Sequence, residues 1–261
     1  MPEDITYNQS IIKYSDGHYI EQTDDIATEF PLTLYVNQQE FATIVCSPTN
    51  LHELVLGFLA SEGVIFRRAD IKDIHIDDSK GFCHIILNRE IEQHYGQYTK
   101  RMISSCCGKS RQFYFVNDAA TSKVSLTDKT VTAAEIFKMM NALQTESTDF
   151  KQTGGLHNAA ISDGKDFYIH RSDIGRHNAL DKLFGYCIEQ RIPIRDKVLI
   201  FSGRISSEIL IKASKIGVGI ILSKSAPTDL AIKLASDLNI TAVGFIRNES
   251  FNIYSHAERI K

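Results

Sequence analysis

Apolar residues in the first part of the chain recur with the spacing of β-strands. Residues 30–36 (FPLTLYV) and 41–46 (FATIVC) are apolar runs that partly alternate, and the polar NQQE near their junction predicts a hairpin. Further strands are expected near residues 71–76 and 81–88, with another sheet segment near 113–117 (FYFVN). The first part is therefore predicted to be rich in β-structure.

One helix is expected between these strands. From Leu51 to Leu59 the apolar side chains recur on one helical face, which indicates a helix packed against a core. Asn50 and Glu53 have the spacing of an N-terminal cap and its reciprocal contact, and Gly63 is expected to end the helix.

The second part of the chain has a different rhythm. Thr132 and Glu135 predict another capping box, which opens an amphipathic helix to about Gln144, and two short strands then flank a turn at Gly164. Amphipathic segments next alternate with short apolar runs, in the order RHNALDKLFGYCIEQ, KVLIFS, SSEILIKASKIG, VGIILS, PTDLAIKLASDL and ITAVGFI. This alternation is typical of parallel strands joined by helices that cover both faces of a sheet.

The change of rhythm divides the chain near residue 130. We predict an α/β protein (α+β overall), with a smaller β-rich N-terminal region over residues 1–130 and an α/β domain over residues 131–261.

Composition excludes several classes of protein. The chain has 261 residues, no apolar run of transmembrane length, and an acidic, polar N-terminus unlike a secretory signal, so we expect a cytoplasmic protein without membrane association. A net charge of −3 and the absence of a lysine or arginine tract argue against nucleic-acid binding. Five cysteines in an irregular set do not form the pattern of a disulfide framework.

Two adjacent cysteines, Cys106 and Cys107, lie in the polar loop 101–111 (RMISSCCGKSR). A thiol reacts as the thiolate, and nearby cations lower a thiol pKa. Four basic residues flank the pair: Lys100, Arg101, Lys109 and Arg111. Neighbouring cysteines suit neither an ordinary disulfide nor zinc spacing, which favours a reactive nucleophile. The alternative is that both are half-buried small apolar residues.

Two further segments could bind an anion. In TGGLHNAA, paired glycines allow close backbone approach, and His157 could donate to an anion or shuttle a proton; a structural histidine after a turn is an equal alternative. In HRSDIGRHNALDK, several polar groups at the start of a helix could form one anion site, with Arg176 adding a cation to an anion-receptive helix terminus. The other members of this group are Asp173, Gly175, His177, Asn178 and Asp181. The alternative is a capped surface helix with Asp173 paired to Arg176.

Three predicted strand ends carry a cation each. Arg204 lies in SGRISSE, Lys224 in SKSAPTD, and Arg247 beside Asn248 in FIRNES. Ligands of open α/β sheets bind outside the carboxyl ends of strands, and the hydroxyls, backbone N–H groups and cations of these loops suit phosphate. Ordinary helix caps are the alternative. Together with the cysteine pair, these loops indicate a protein that carries a small group on sulfur toward a phosphate-bearing ligand.

Several blocks in this order resemble the formate dehydrogenase accessory sulfur-carrier family (FdhD/NarQ). They are FPLTLYVN, SPTNLHELVLGFLASEG, SSCCGK, TGGLHNAA, DIGRHNALDK, FSGRISSE, SAPTDLA and VGFIRNESFNIYSH, and they span nearly the whole chain. The resemblance implies a homodimer with a larger domain of three-layer, cytidine-deaminase-like fold. It also implies that sulfur from a cysteine desulfurase is held as a cysteine persulfide and passed to the molybdenum cofactor, bis-molybdopterin guanine dinucleotide, before insertion into formate dehydrogenase or a related molybdoenzyme.

The resemblance also implies site residues. The guanine dinucleotide is expected at the strand end formed by Phe245, Ile246, Arg247, Asn248, Glu249 and Ser250. Many relatives have a C-x-x-C pair where this chain has contiguous cysteines. Cys107, which Gly108 follows directly, is therefore the expected persulfide carrier, with Cys106 as the alternative.

Two rival functions predict different chemistry. Where the H-x-E sequence of zinc deaminases might lie, this chain reads His157-Asn158-Ala159, and it contains no P-C-x-x-C sequence, so we expect no catalytic zinc and no hydrolase or deaminase activity. A molybdenum-cofactor chaperone that transfers no sulfur is the other alternative to a sulfurtransferase-type carrier.

Overall fold

The computed structural model describes residues 4–89, 102–103, 122–146 and 154–261; the segment predicted near 113–117 lies outside them. The strands there are β1 (Thr6–Ser15), β2 (His18–Ala27), β3 (Phe30–Val36), β4 (Gln39–Cys46), β5 (Ile71–Asp77), β6 (Phe82–Leu87), β7 (Met102–Ile103), β8 (His157–Ser162), β9 (Phe167–Asp173), β10 (Val198–Phe201), β11 (Ile220–Ser223), β12 (Thr241–Arg247) and β13 (Ser250–Ile253). The α-helices are α1 (Leu51–Ser61), α2 (Ala133–Glu146), α3 (Arg176–Glu189), α4 (Ser207–Ile216) and α5 (Asp229–Asp237).

The first part forms a five-stranded sheet in the order β5-β6-β3-β4-β7. Its strands alternate as the sequence predicts: in β3, Leu32, Leu34 and Val36 are buried, while Thr33 and Tyr35 between them are half-buried. Helix α1 packs its apolar residues into the same core. The predicted hairpin of β3 and β4 and the predicted strands β5 and β6 are therefore confirmed.

The second part forms a six-stranded sheet in the order β13-β12-β11-β10-β8-β9. Strands β10, β11 and β12 are parallel, and β8, β9 and β13 are antiparallel to their neighbours. Helix α2 covers one face, whereas α3, α4 and α5 cover the other, and both helical layers enclose buried cores. The predicted three-layer arrangement, with helices on both faces, is confirmed.

Helices α1 and α3 join the two sheets. A side chain at Gly57 would place its Cβ 1.7 Å from the Asp181 carbonyl oxygen, and one at Gly185 would place it 1.8 Å from that of Glu53. The helices therefore approach each other closely at two glycines. Phe184 of α3 packs against the core of the first sheet and against the core between the second sheet and α3, so the two sheets share a continuous interior.

The two predicted helix caps have different outcomes. The Thr132–Glu135 capping box is confirmed, since the Glu135 N–H donates to Thr132 Oγ1 (3.2 Å) and the Thr132 N–H donates to Glu135 Oε2 (2.7 Å). The cap predicted at Asn50 is wrong: this residue has φ 53° and its side chain makes no capping bond. Glu53 instead binds Arg171 of β9 in a bidentate ion pair at 2.5 and 2.6 Å. A long-range partner replaces the local one.

The hydrophobic pattern does not predict the hairpin of β1 and β2. The two strands pair with each other over ten residues each, around the turn at Asp16 and Gly17. Both turn residues have positive φ, as a tight hairpin requires, so the Asp-Gly pair was the available signal.

Residues before the predicted boundary at 130 contact the second part of the chain. The Ser125 N–H donates to the Leu238 carbonyl (2.8 Å), and the Lys123 N–H donates to Ser214 Oγ of α4 (2.8 Å). The boundary itself stays a prediction. None of the helices among the described residues is long and apolar enough to cross a membrane.

Candidate functional site

One edge of the six-stranded sheet collects the predicted cations. Because β10, β11 and β12 are parallel, their carboxyl ends meet at this edge. Arg204 follows β10, Lys224 follows β11 directly, and Arg247 is the last residue of β12. All three side chains are exposed. We call this the strand-end edge.

The same edge includes His157 and Arg176. Strand β8 runs antiparallel to β10, so its first residue, His157, lies beyond the carboxyl end of β10. Strand β9 returns antiparallel to β8, with His157 opposite Asp173, and delivers Arg176 at the first position of α3. Five of the side chains predicted from separate sequence segments are therefore arranged along one edge by the topology of the sheet.

Hydrogen bonds between loops hold the edge together. The Ser202 N–H donates to the Asn158 carbonyl, and the Asn158 N–H donates to Ser202 Oγ, both at 2.9 Å. The Ile205 N–H donates to the Ala226 carbonyl of the next loop at 3.1 Å. These hydrogen bonds connect the loops into one frame, which fixes the backbone positions from which the cationic side chains extend.

Several hydroxyls of these loops, which the sequence suggests as phosphate-binding groups, form hydrogen bonds within the protein instead. Ser206 caps α4 by accepting from the Ile209 N–H, and Thr228 caps α5 by accepting from the Ala231 N–H. Ser223 Oγ donates to the Gly203 carbonyl (2.7 Å). The alternative interpretation, ordinary helix caps, is correct for Ser206 and Thr228, so the cations are the principal groups left for a ligand.

Strand β12 ends in a bulge that presents part of the predicted dinucleotide segment. Phe245 has φ 54°, its N–H donates to the Ser225 carbonyl (3.2 Å), and its ring is exposed with the Arg247 guanidinium carbon 5.6 Å from the ring centroid. The side chain of Ile246 is buried in the core, so it could contact a ligand only through its backbone. The remaining predicted residues, Asn248, Glu249 and Ser250, are exposed.

Gln144 and Glu208 also reach the edge, although no sequence pattern selects them. Lys224 Nζ donates to Gln144 Oε1 at the end of α2 (3.0 Å), 80 residues away in sequence. Glu208 Oε2 of α4 lies 2.9 Å from His177 Nε2 of α3. Contacts between separate elements carry no local sequence signal.

The histidines at the edge are held neutral. Burial, followed by the charges of Arg176 and His177, lowers the pKa of His157, and the charge of Asp173 opposes this only in part. Burial also lowers the pKa of His177, against the opposing contact with Glu208. A neutral imidazole can donate one hydrogen bond and accept another at physiological pH.

Most of the polar side chains near the start of α3 stabilise the fold through buried contacts. Asp173 and Lys182 form a fully buried ion pair (2.7 Å), and Asn178 Nδ2 donates to Asp173 Oδ1 (2.9 Å). Asp181 is buried in a second ion pair, with Lys212 of α4. The expectation that these groups form one ligand site is therefore wrong for Asp173, Asn178 and Asp181. The alternative interpretation named Arg176 as the partner of Asp173, whereas the buried ion pair that the structure shows joins Asp173 to Lys182.

Three of the five cysteines lie among the described residues, and all three are free and buried. Burial raises the pKa of Cys83 to about 12 and that of Cys187 to about 12, in the latter case with a contribution from Glu53. Burial and then the charge of Asp173 raise the pKa of the Cys46 thiol further. The predicted carriers, Cys106 and Cys107, lie outside the described residues together with the rest of loop 104–111.

Among the described residues, no group of three or more His, Cys, Asp or Glu side chains could hold a metal ion. The expected absence of zinc stays a prediction, because the cysteine loop lies outside the part of the chain that the structure describes.

Fold and site together define an α/β protein with a five-stranded sheet, a six-stranded sheet and a cationic strand-end edge. The chain belongs to the FdhD/NarQ family, whose model matches residues 27–261. It is 65% identical over 261 residues to a sulfur carrier protein FdhD of Staphylococcus haemolyticus strain JCSC1435, covering 100% of this chain and 99% of that relative. It is 64% identical over 260 residues to a sulfur carrier protein FdhD of Staphylococcus aureus strain JH9, covering 100% and 98%.

A solved structure has the same fold. A protein from Desulfotalea psychrophila, described as a formate dehydrogenase accessory protein, superposes with a TM-score of 0.81 at 22% sequence identity, covering 99% of this chain and 100% of that one. The family and the fold class predicted from the sequence are confirmed.

Proposed function

We propose that this chain is a sulfur carrier for formate dehydrogenase or a related molybdoenzyme. It accepts sulfur from a cysteine desulfurase as a persulfide on Cys107, or on Cys106, and passes it to bis-molybdopterin guanine dinucleotide bound at the strand-end edge. Support comes from membership of the FdhD/NarQ family and from relatives named as sulfur carriers at 64% and 65% identity.

One observation carries the assignment of the carrier cysteine. A persulfide carrier needs a thiolate that a donor protein can reach. Cys46, Cys83 and Cys187 are buried and their pKa values are raised, so they stay protonated and enclosed at neutral pH. Elimination among the five cysteines leaves Cys106 and Cys107.

The first transfer is a thiol–disulfide type exchange. The thiolate of Cys107 attacks the outer sulfur of the desulfurase persulfide, a new S–S bond forms on this chain, and the desulfurase cysteine leaves as its thiolate. In the second transfer the cofactor, in a reduced state, is the electron donor: it supplies two electrons to the outer sulfur, the S–S bond breaks, the sulfur is transferred as sulfide, and Cys107 leaves as its thiolate. The carrier therefore returns to its starting state without another reductant.

The strand-end edge supplies the binding surface for the cargo. Arg204, Lys224 and Arg247 provide exposed cations for phosphate oxygens, and the exposed ring of Phe245 offers a face for a base. Because His157 is held neutral, it adds one hydrogen-bond donor and one hydrogen-bond acceptor to this surface without adding a charge.

Intact-protein mass spectrometry after incubation with desulfurase and cysteine tests the transfer. The wild-type chain should gain one sulfur atom that dithiothreitol removes, Cys187→Ala should gain it equally, and Cys107→Ala should not. Loss in Cys106→Ala instead would assign the persulfide to Cys106. Full uptake by the double variant of Cys106→Ala and Cys107→Ala would contradict the proposal, and normal activation of formate dehydrogenase by that variant would favour the chaperone alternative.

A further inference from the structure

The hairpin of β1 and β2, which we call the arm (residues 6–27), contributes no residue to any of the three cores. Its strands form a sheet of two, and no described strand of another sheet pairs with either. At its base, the Thr28 N–H donates to the Ile5 carbonyl (3.0 Å). An isolated two-stranded hairpin is only marginally stable in water. The arm therefore needs a surface that covers it.

Both faces of the arm carry exposed apolar side chains. Residues paired across the strands share a face, so Tyr7 and Ile26 lie on one face, and Tyr14 and Tyr19 lie on the other. The exposed fractions of the arm's large apolar side chains are 62% for Tyr7, 68% for Ile12, 64% for Tyr14, 79% for Tyr19, 49% for Ile20 and 44% for Ile26. A surface that covers only one face would leave half of these side chains in water.

The arm and the rest of the chain have opposite net charges. The arm, residues 6–27, carries four acidic side chains and one lysine, a net charge of −3. Residues 1–5 add −2, so residues 28–261, which we call the body, carry +2 and the total is −3. Within the arm, Glu21, Asp24 and Asp25 are all on β2. A second copy of the body therefore complements the arm in charge.

The area of the arm favours reciprocal docking. Ten residues at about 3.4 Å per residue and two strands about 4.8 Å apart give each face roughly 330 Å². One arm docked on one partner would bury about 650 Å² of its own surface, somewhat less than the ~800 Å² per partner of a standard interface. Two arms exchanged about a twofold axis would bury about 1,300 Å² per chain, which is ample for a stable dimer.

We propose that the arm is exchanged between two copies of this chain, each arm lying against the body of the other copy. The family resemblance implies a homodimer but assigns no surface to it. The arm has apolar side chains on both faces, a net charge opposite to that of the body, and enough area for a stable dimer when two arms are exchanged. These three properties identify the arm as the dimer surface.

An arm variant with unchanged net charge tests this assignment. Tyr14→Lys with Tyr19→Glu, and Tyr7→Lys with Ile26→Glu, replace facing apolar pairs by opposite charges, which preserves cross-strand attraction within the hairpin. The matched control is Val124→Lys with Leu126→Glu, whose native side chains are 57% and 69% exposed outside the arm. Circular dichroism and thermal unfolding should show that the body of each variant is folded, because the arm contributes to none of the three cores.

Analytical ultracentrifugation at micromolar concentration provides the readout. The wild type and the control should have twice the chain mass of 29.4 kDa, and the arm variant should have the chain mass, with dimer affinity at least about 100-fold weaker. A monomeric wild type, or an arm variant that stays dimeric, would overturn the proposal. The proposal would also be overturned if the wild type were a monomer whose arm bound a different protein.

Isotope-mixed crosslinking separates exchange from docking within one chain. When ¹⁴N- and ¹⁵N-labelled preparations are mixed, links between Lys13 of the arm and lysines of the body should contain both isotopes. Links that contain only one isotope would show that each arm lies against its own body, which would overturn the exchange.

Discussion

Asp173 and Lys182 form an ion pair at 2.7 Å with both side chains fully buried, at the corner where β9 turns into α3. The Ser47 N–H donates to Asp173 Oδ2 (3.0 Å), and the Gly175 N–H donates to Asp173 Oδ1 (2.8 Å). The pair therefore ties the first sheet to the helix that begins with Arg176. The ion pair thereby stabilises the backbone that leads to Arg176, at one end of the strand-end edge.

Asp173→Asn should destabilise the protein strongly. The change leaves the Lys182 ammonium buried without its counter-charge, which typically costs about 3–5 kcal/mol. Urea unfolding followed by circular dichroism measures the free energy of unfolding. The control is Asp128→Asn, which breaks the exposed ion pair with Arg195 and should cost less than about 1 kcal/mol. Equal effects of the two substitutions would contradict the structural role given to Asp173.

Gly57→Ala should disrupt the junction of α1 and α3. The added Cβ would lie 1.7 Å from the Asp181 carbonyl oxygen, so the helices must separate, and we expect a loss of about 3 kcal/mol or more in the free energy of unfolding. The same measurement on Asn141→Ala, at an exposed position of α2, should show little change or a small gain, because alanine favours helix formation. A neutral Gly57→Ala would show that the two helices are not closely packed.

The sequence predicts most of the fold because the signals for it are local. Buried strands such as β10 and β11 are continuous apolar runs, and the Thr132–Glu135 capping box lies within four residues. The cap at Asn50 fails because Glu53 is bound by Arg171, which follows 118 residues later. No local pattern reports such a partner.

The candidate site could be predicted in part for the same reason. Parallel strands bring their carboxyl ends together, so Arg204, Lys224 and Arg247 are expected on one edge once the strands are recognised. The sequence does not distinguish a ligand-binding polar group from a buried structural one. Asp181 looks like a site residue in the sequence, but its ion pair with Lys212 depends on how α3 packs on α4.

Stability should depend on pH through His157. Its folded-state pKa is lowered, first by burial, whereas the unfolded chain takes up a proton near the ordinary value of about 6.5. The unfolded state therefore binds more protons as the pH falls below about 6.5, and the free energy of unfolding decreases until the folded-state pKa is passed.

His157→Gln should reduce this pH dependence. Between about pH 7.5 and 5.5, the variant should lose less stability than the wild type, because its side chain cannot take up a proton in either state. Urea unfolding at both pH values gives the two differences, so a uniform cost of the substitution cancels. Identical differences for wild type and variant would show that His157 does not contribute.

Arg247→Ala should weaken nucleotide binding at the strand-end edge. Hydrogen bonds from a charged group contribute about 1.5–3 kcal/mol, so we expect the dissociation constant for GDP to rise by about tenfold to a hundredfold in calorimetric titration. GDP serves as the probe because it carries a guanine base and phosphates. Arg195→Ala is the control, since Arg195 is exposed but precedes β10 and so lies at the opposite end of the sheet. Equal affinities in the two variants would argue against the edge as the nucleotide site.

Thiol labelling should separate the five cysteines into two groups. Under native conditions at neutral pH, a thiol reagent should not modify Cys46, Cys83 or Cys187, because burial encloses them and raises their pKa values. The double variant of Cys106→Ala and Cys107→Ala should therefore show no rapid labelling when folded and three labelled thiols after unfolding in urea. Rapid native labelling of this variant would mean that a third cysteine is accessible. Sulfur transfer is assigned to Cys106 and Cys107 by eliminating the three buried cysteines, so an accessible cysteine among those three would contradict the assignment.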